Sequence, residues 1–415
     1  CVLFFQLIIV SCYGQQIPPK DDTIYGGENN QAEEPKLDFS DILRKFAIKF
    51  YKGRFMEGQN LVVAPLLIFN AFMSLYNIAD ASTKFDIHSM VDIPQWAKEE
   101  QMFELERLSD SYLRPANTSH SHLSARLYYD SSIGKITRKL KGENLTTVAS
   151  SFAKKSTFLS HVNGWVKREY PRSTDDLVRD YDVDGETKVF LAGAFSFAWP
   201  THLTPTAVSE GEFQGEKVTF LEGSGVPTRH AKIDELKIEV VELKHVEMSE
   251  IKLWLVLPTE GATVKQFNEK LSVEVISKIE KSLQDKTLTV SVPEVSIEYN
   301  SQEDAYVMEV FDVFTSLFTT PSVQLADEKE NFYPIKRFMM KSIFRLAKGD
   351  GQGQMSASPQ ATIKFDRPFV MMILTKDGDV PLLMANYFSP VDKIRDLMEL
   401  ERKYRLLAQQ EKHDL

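Results

Sequence analysis

Phe369-Val370-Met371-Met372-Ile373-Leu374-Thr375-Lys376-Asp377-Gly378-Asp379-Val380-Pro381-Leu382-Leu383-Met384-Ala385-Asn386-Tyr387 is two apolar runs parted by a turn. Lys376-Asp377-Gly378-Asp379 is a tight-turn sequence, so Phe369–Leu374 and Pro381–Tyr387 read as a β-hairpin. Just upstream, Arg337–Leu346 and Ala361–Phe365 read as further strands, which makes the C-terminal region a β cluster. Lys188–Ala198 is long and uncharged enough past its first residue to be a central strand. Leu123–Tyr129 reads as a strand, and strand signals dominate from Lys237 to Leu253-Trp254-Leu255-Val256-Leu257-Pro258. Thr287–Tyr299 alternates as one strand should. Between these lie helical patterns. Ile42, Phe46 and Phe50 recur at helical spacing, and Asn60–Ile78 predicts a buried helix after Pro65. Val162–Val178 (with Trp165), Thr263–Lys281 and Tyr306–Leu317 also read as helices. Helices and strands interleave without a βαβ rhythm or repeats, so the class is α+β, and no linker splits it.

The bulk numbers agree with a large soluble core. The 415 residues are 43% apolar, 26% charged and 11% aromatic. A net charge of −10 argues against nucleic acid, whose phosphates demand a basic surface. The small basic clusters, Arg138-Lys139-Leu140-Lys141 and Lys154-Lys155, read as solvated faces, with an anionic polysaccharide as the alternative. Val2–Val10 ends in Ser11-Cys12-Tyr13-Gly14 and reads as the apolar stretch and cleavage site of a signal peptide. It is too short to span a bilayer, and no other stretch reads as a membrane helix. The sequence opens on Cys1 and not on Met, so the charged start of such a peptide is expected upstream. A secreted, extracellular protein is expected. Both cysteines, Cys1 and Cys12, fall in that peptide, which leaves the mature chain without disulfides, zinc thiolates or a cysteine nucleophile. The sequons at Asn117 and Asn144 fit a glycoprotein. Residues 15–36 read as a disordered acidic leader.

Four stretches invite a chemical reading. Asp180-Tyr181-Asp182-Val183-Asp184-Gly185 matches the first half of a calcium loop, but Leu191 stands where a bidentate Glu is required. A solvated acidic loop is the expectation. Gly349-Asp350-Gly351-Gln352-Gly353 lacks the following helix that a phosphate loop needs. His120-Ser121-His122 has no third ligand at useful spacing, and no Gly-x-Ser-x-Gly elbow occurs. No metal or cofactor is expected, and the chain reads as a binding, inhibitory or structural protein, not an enzyme.

Several segments, in order, resemble the serpins. Asn60-Leu61-Val62-Val63-Ala64-Pro65-Leu66-Leu67-Ile68 resembles the family's approach to its second helix, and His161-Val162-Asn163-Gly164-Trp165-Val166 the helix that crosses the main sheet. Val189–Phe197 with Trp199 resembles the third strand of that sheet and the Trp at its top. Val241-Glu242-Leu243, Leu255-Val256-Leu257-Pro258 and Val292-Pro293-Glu294-Val295 resemble further family strands, and Phe365-Asp366-Arg367-Pro368-Phe369 its C-terminal signature. The resemblance covers residues 37–390. It implies three β-sheets, eight to nine helices and an exposed reactive-centre loop. In inhibitory members a protease cuts that loop, which inserts as a new strand in the main sheet and drags the acyl-enzyme to the far pole.

The resemblance places the loop from Ala347 to Ile363. Its hinge reads Ala347-Lys348-Gly349-Asp350-Gly351-Gln352-Gly353-Gln354-Met355-Ser356, where inhibitors have Glu-Glu-Gly-Thr and then alanines; Gly349 alone is kept. Alternate residues would point inward after insertion, and these are Asp350, Gln352, Gln354 and Ser356. Burying an unpaired carboxylate costs several kcal/mol, and each unbonded amide ~1–3 more. Family spacing puts the scissile bond at Ala357-Ser358, so the hinge side is about six residues short, or ~20 Å of strand. Where the family places Ser, Ser, Asn and His in a network under the sheet, this chain has Ala64, Leu67, Gly193 and Met340.

Residues 391–415 extend past the family's usual end, with Ile394, Leu397, Leu400, Tyr404 and Leu407 at helical spacing. The ending Glu411-Lys412-His413-Asp414-Leu415 is similar to a retention signal without matching one. The expectation is a secreted, monomeric, non-inhibitory serpin that binds an unidentified protein or small ligand and contacts neither nucleic acid nor membrane. The alternative is a serine-protease inhibitor that meets a serine protease as a substrate-like competitor. A chaperone-like or storage role is third.

Overall fold

A computed structural model of the chain describes residues 37–94, 97–114, 121–133, 145–170, 176–201, 207–245, 248–303, 323–324, 331–348 and 361–390. The expected signal peptide, leader and tail lie outside the described residues, as do Tyr306–Leu317, both sequons and residues 349–360.

In chain order the elements begin with α1 (Phe39–Arg54), β1 (Leu61–Val63), α2 (Pro65–Tyr76), α3 (Ala81–Met90) and α4 (Glu99–Leu113). Next come β2 (Ser121–Asp130), β3 (Leu145–Ser150), α5 (Lys155–Glu169) and β4 (Val189–Thr201). Then follow β5 (Ala207–Phe213), β6 (Glu216–Ile233), β7 (Ile238–Lys244), β8 (Ile251–Pro258), α6 (Val264–Lys270) and α7 (Val273–Ser282). The chain continues with β9 (Gln284–Pro293), β10 (Val295–Glu303), β11 (Val323–Gln324), β12 (Phe332–Tyr333) and β13 (Ile335–Lys348). It closes on β14 (Ala361–Lys364), β15 (Phe369–Thr375) and β16 (Pro381–Tyr387). Seven α-helices therefore lie among the described residues.

The strands form three sheets. The largest runs β1-β16-β15-β8-β7-β6-β9-β14 with β5 added on β6, the second runs β10-β13-β4-β2-β3, and β11 pairs with β12. The expected hairpin is present: β15 and β16 are antiparallel neighbours and every residue of both is buried. Its turn uses positive φ at Gly378 (+78°) and Asp379 (+50°). Any side chain at Gly378 would also press on Ser40, 2.8 Å from its Oγ.

α2 is buried on all sides, which is why its sequence is apolar all round. Two of its polar side chains are matched from α4. Asn70 Nδ2 donates to Ser109 Oγ (2.9 Å) and Asp110 Oδ1 (2.8 Å), and Ser74 Oγ donates to Glu106 Oε1 (2.8 Å). Three expectations need correction. The alternating run Thr287–Tyr299 is not one strand: it breaks at Glu294, and β9 and β10 belong to different sheets. The helix read as Val162–Val178 spans Lys155–Glu169, and Thr263–Lys281 is two helices, the second capped by Ser272, whose Oγ accepts from Val275 N (3.3 Å).

Candidate functional site: the parallel seam of the five-stranded sheet

β13 and β4 lie side by side in parallel, from Ile335 opposite Val189 to Lys348 opposite Thr201. β10 flanks β13 and β2 flanks β4, both antiparallel. Lys348 ends β13, and the chain is next described at β14, which lies on β9 in the large sheet. A segment returning down the sheet from Lys348 would run antiparallel to β13 and, because β4 is parallel to β13, to β4 as well. The interval between them would offer it a hydrogen-bonded neighbour on each side. Here that interval is closed by direct β13–β4 pairing, continuous from Phe338 to Lys348.

On one face the seam is sealed by apolar groups. Met340 stands opposite Gly193, and a Cβ on Gly193 would lie 3.2 Å from Met340 Cγ and 3.2 Å from Phe338 Cε2. The missing side chain lets both neighbours close over β4. Phe338 in turn meets Phe72 of α2 edge-on at 5.6 Å. Ala64 caps α2 without a side-chain hydrogen bond, and Leu67 lies in its first turn; both are fully buried. None of Ala64, Leu67, Gly193 and Met340 carries a side-chain oxygen or nitrogen. One polar group does sit on this face: Ser342 Oγ is buried without a hydrogen-bond partner among the described residues.

α5 covers the other face. Phe158, Val162, Trp165 and Val166 pack into one cluster with Phe190, Ala192 and Ala194 of β4 and Met339 and Ile343 of β13. Arg126 lies over the Trp165 ring at 4.4 Å. Tyr170, just past the helix, donates its hydroxyl towards the carbonyls of Ala194 (2.7 Å) and His122 (3.1 Å), and burial pushes that hydroxyl's pKa far up. By strand alternation Lys341 shares this face with Met339 and Ile343. Its side chain is wholly buried and paired with Glu298 of β10.

At the upper end Trp199 is opposite Leu346 and buried against Phe197 (5.9 Å) and, edge-on, His245 (4.8 Å). Met248 N donates to His245 Nδ1 (3.1 Å), which fixes that ring. Ala347 and Lys348 are the last paired residues of β13, opposite Pro200 and Thr201. Gly349, Asp350, Gly351, Gln352, Gly353, Gln354, Met355, Ser356, Ala357, Ser358, Asn117 and Asn144 lie outside the described residues.

At the lower end the acidic loop is solvated at Asp180 and Asp184 but not at Asp182. Asp182 is buried and accepts from Arg337 Nη1 (2.6 Å) and Arg179 N (2.7 Å). Asp184 accepts from Lys336 Nζ (2.6 Å) and from Thr187 Oγ1 (2.9 Å). Burial works to raise the Asp184 pKa, but those two bonds outweigh it and hold the carboxyl below its usual range. Two carboxylates of the loop bind cations of β13. Among the described residues no group of three His, Cys, Asp or Glu side chains could hold a metal ion, and His122 meets Tyr170 edge-on at 6.4 Å. No described helix is long and apolar enough to cross a membrane.

Lys341, Glu298, Arg337 and Tyr170 escaped the sequence reading, and Asp182 entered it only as part of a calcium-loop-like stretch. One signal was present: Phe338-Met339-Met340-Lys341-Ser342-Ile343-Phe344 is an apolar run interrupted by a cation, which a strand buried on both faces tolerates only with a partner.

Residues 41–390 match the sequence profile of the family described as Serpin (serine protease inhibitor). The chain belongs to the serpin family. Among its relatives, serpin A3-8 of Bos taurus is 22% identical over 83% of this chain and 87% of its own length. Serine proteinase inhibitor 2.4 of Apodemus sylvaticus is 20% identical over 92% of this chain and 96% of its own. Among solved structures, SRPN18 from Anopheles gambiae superposes with a TM-score of 0.74 at 16% identity, over 86% of this chain and 99% of that one. Thyroxine-binding globulin in complex with thyroxine gives 0.71 at 16% identity, over 86% and 100%. These structures show the serpin fold. In this serpin α5 lies over the five-stranded sheet, and Trp199 stands two residues before the end of β4.

Proposed function

We propose that this serpin is secreted and non-inhibitory, and that it acts by binding a protein or small ligand without inserting its reactive-centre loop. The observation that carries the reading is the sealed seam, where Gly193 lets Met340 and Phe338 close over β4. Strand insertion would part those fully buried side chains, and at ~25 cal/mol per Å² of apolar surface each exposed side chain weighs against opening. What would enter in exchange is Asp350, Gln352, Gln354 and Ser356, whose burial is unfavourable. The loop therefore has little to gain, and the protein is not an enzyme. In this reading residues 1–14 are a signal peptide, 15–36 a leader, 37–390 the serpin domain and 391–415 a C-terminal extension.

The test is incubation with trypsin-, chymotrypsin- and elastase-like proteases. The expected result is nicking or no reaction, no complex that survives SDS, and no large rise in Tm after cleavage. An SDS-stable complex overturns the reading. A second reading, a substrate-like competitor of serine proteases, is favoured by the names of relatives such as serine proteinase inhibitor 2.4. It predicts reversible slowing of a protease while the loop is consumed. Ligand carriage would instead raise Tm with the loop intact.

A further inference from the structure

β13 and β4 are not in perfect register at their foot. Ile335 is opposite Val189 and Phe338 opposite Leu191, so Lys336 and Arg337 together face the single residue Phe190. This is a β-bulge, an extra residue that interrupts the ladder and redirects side chains. The two residues of the bulge are the two whose cations reach across to the connection between α5 and β4. Arg337 binds buried Asp182, and Lys336 binds Asp184. That connection, Asp176–Lys188, runs directly into β4 and so belongs to the β4 side of the seam.

The same connection is fastened to α5. Asn163 Nδ2 donates to the Val178 carbonyl (2.7 Å), and Val178 N donates back to Asn163 Oδ1 (3.0 Å). Lys155 pairs with Asp180 (3.2 Å) and Lys167 with Asp176 (2.7 Å). Leu177, Val178 and Val183 are buried in the cluster that α5 shares with the sheet. One short segment is therefore bonded to α5, to β4 through the chain, and to β13 through two ion pairs.

We propose that Asp176–Lys188 is a strap that holds β13 against β4 at the foot of the seam, so that local opening there requires Arg337 to leave Asp182. The buried pair carries most of the hold. Asp184 and Lys336 are half-exposed or nearly so and add little. The proposal does not rest on the non-inhibitory reading: a chain that trapped a protease would show the same strap.

Amide hydrogen exchange under native conditions tests it, with the intact protein and three variants. In Arg337→Met, amides of Val189–Ala194 and Phe338–Ile343 should exchange roughly tenfold faster, while β7 and β8 keep their rates. Arg337→Met takes the Arg337 cation away from the buried Asp182 carboxylate, so its loss of global stability alone proves nothing. Arg337→Met/Asp182→Asn removes that charge. Its denaturation midpoint should return towards wild type while the foot of the seam stays fast. Lys336→Met should accelerate the same amides by only about twofold. A double variant with wild-type exchange at the foot, or equal acceleration in β7 and β8, overturns the strap. Should Arg337→Met not fold, the double variant and Lys336→Met decide.

Discussion

Lys341 carries an ammonium group into the middle of β13, where none of its side chain meets solvent. Its neighbours on that face are Met339 and Ile343, and its counter-charge comes from Glu298, two residues along the adjacent strand from the position opposite it. A lone charge in such a place would cost far more than a surface charge, so the pair exists as a unit. Its geometry joins β10 to β13 and does not cross to β4, so it would travel with β13 if the seam parted. Removing one partner and removing both should differ sharply. Glu298→Gln should destabilise the protein by ~3 kcal/mol, since the cation stays buried without its carboxylate. Glu298→Leu/Lys341→Met should recover most of that loss, because apolar groups of similar volume suit the site. Urea denaturation of both variants reads the difference, and equal losses in the two would contradict a buried ion pair.

α5 shows how an element can be docked by a few polar atoms while apolar area supplies the adhesion. Phe158, Val162, Trp165 and Val166 give it a buried face, and Asn163, between two of them, binds both backbone polar groups of Val178. Asn163→Ala would leave that amide and carbonyl buried and unpaired. The expected cost is about 1–3 kcal/mol, with faster proteolysis of the 171–188 region but an intact large sheet. Limited proteolysis with mass mapping checks this; unaltered cleavage would argue that the apolar face alone holds the connection. Elements of this kind also mark what the sequence made legible. The hairpin, β4 and α2 were readable because each is buried on all sides and therefore apolar along its length. β6 was not, because Gly223-Ser224-Gly225-Val226-Pro227 interrupts its alternation where its register with β9 shifts. The break at Glu294 was invisible because β9 and β10 alternate with the same period and pass it from one sheet to another. The seam residues Ala64, Leu67, Gly193, Trp199 and Met340 were nameable only through family resemblance. Phe338, which closes on Gly193 from the neighbouring strand, is a contact that no local pattern specifies.

The whole molecule has an acid response that follows from which groups folding has perturbed. Glu280 is drawn upward by burial, but Lys252 (2.7 Å) and Arg229 (2.8 Å) outweigh this and hold it below its usual range. Glu239 is held down by its bond to His230, and Asp130 by bonds from Ser132 and Phe152 that overcome its burial. For these groups the unfolded chain binds protons more readily than the folded one. Their stabilisation is complete above the ordinary carboxylate range, near 4.5 and below, and is lost as pH falls through the lower folded values. His88 adds an earlier step. Its Nδ1–H donates to the Pro94 carbonyl (3.4 Å) and its Nε2 accepts from the Tyr76 hydroxyl (3.1 Å), which suits the neutral ring. Burial lowers its pKa from the ordinary 6.5, and nearby Lys84 lowers it further. Here too the unfolded state takes up the proton first, so stability should begin to fall as pH drops below about 6.5. The expected profile is flat from pH 8 to 6.5, shallow as pH falls below 6.5, and steep below about 4.5. His88→Gln should remove the shallow limb and leave the steep one in place, since Gln carries no titratable group and the carboxylates lie on other elements. Denaturation midpoints measured across this range settle the matter. A stability that rises as pH falls from 7 to 5.5 would mean that a histidine gains, not loses, from folding.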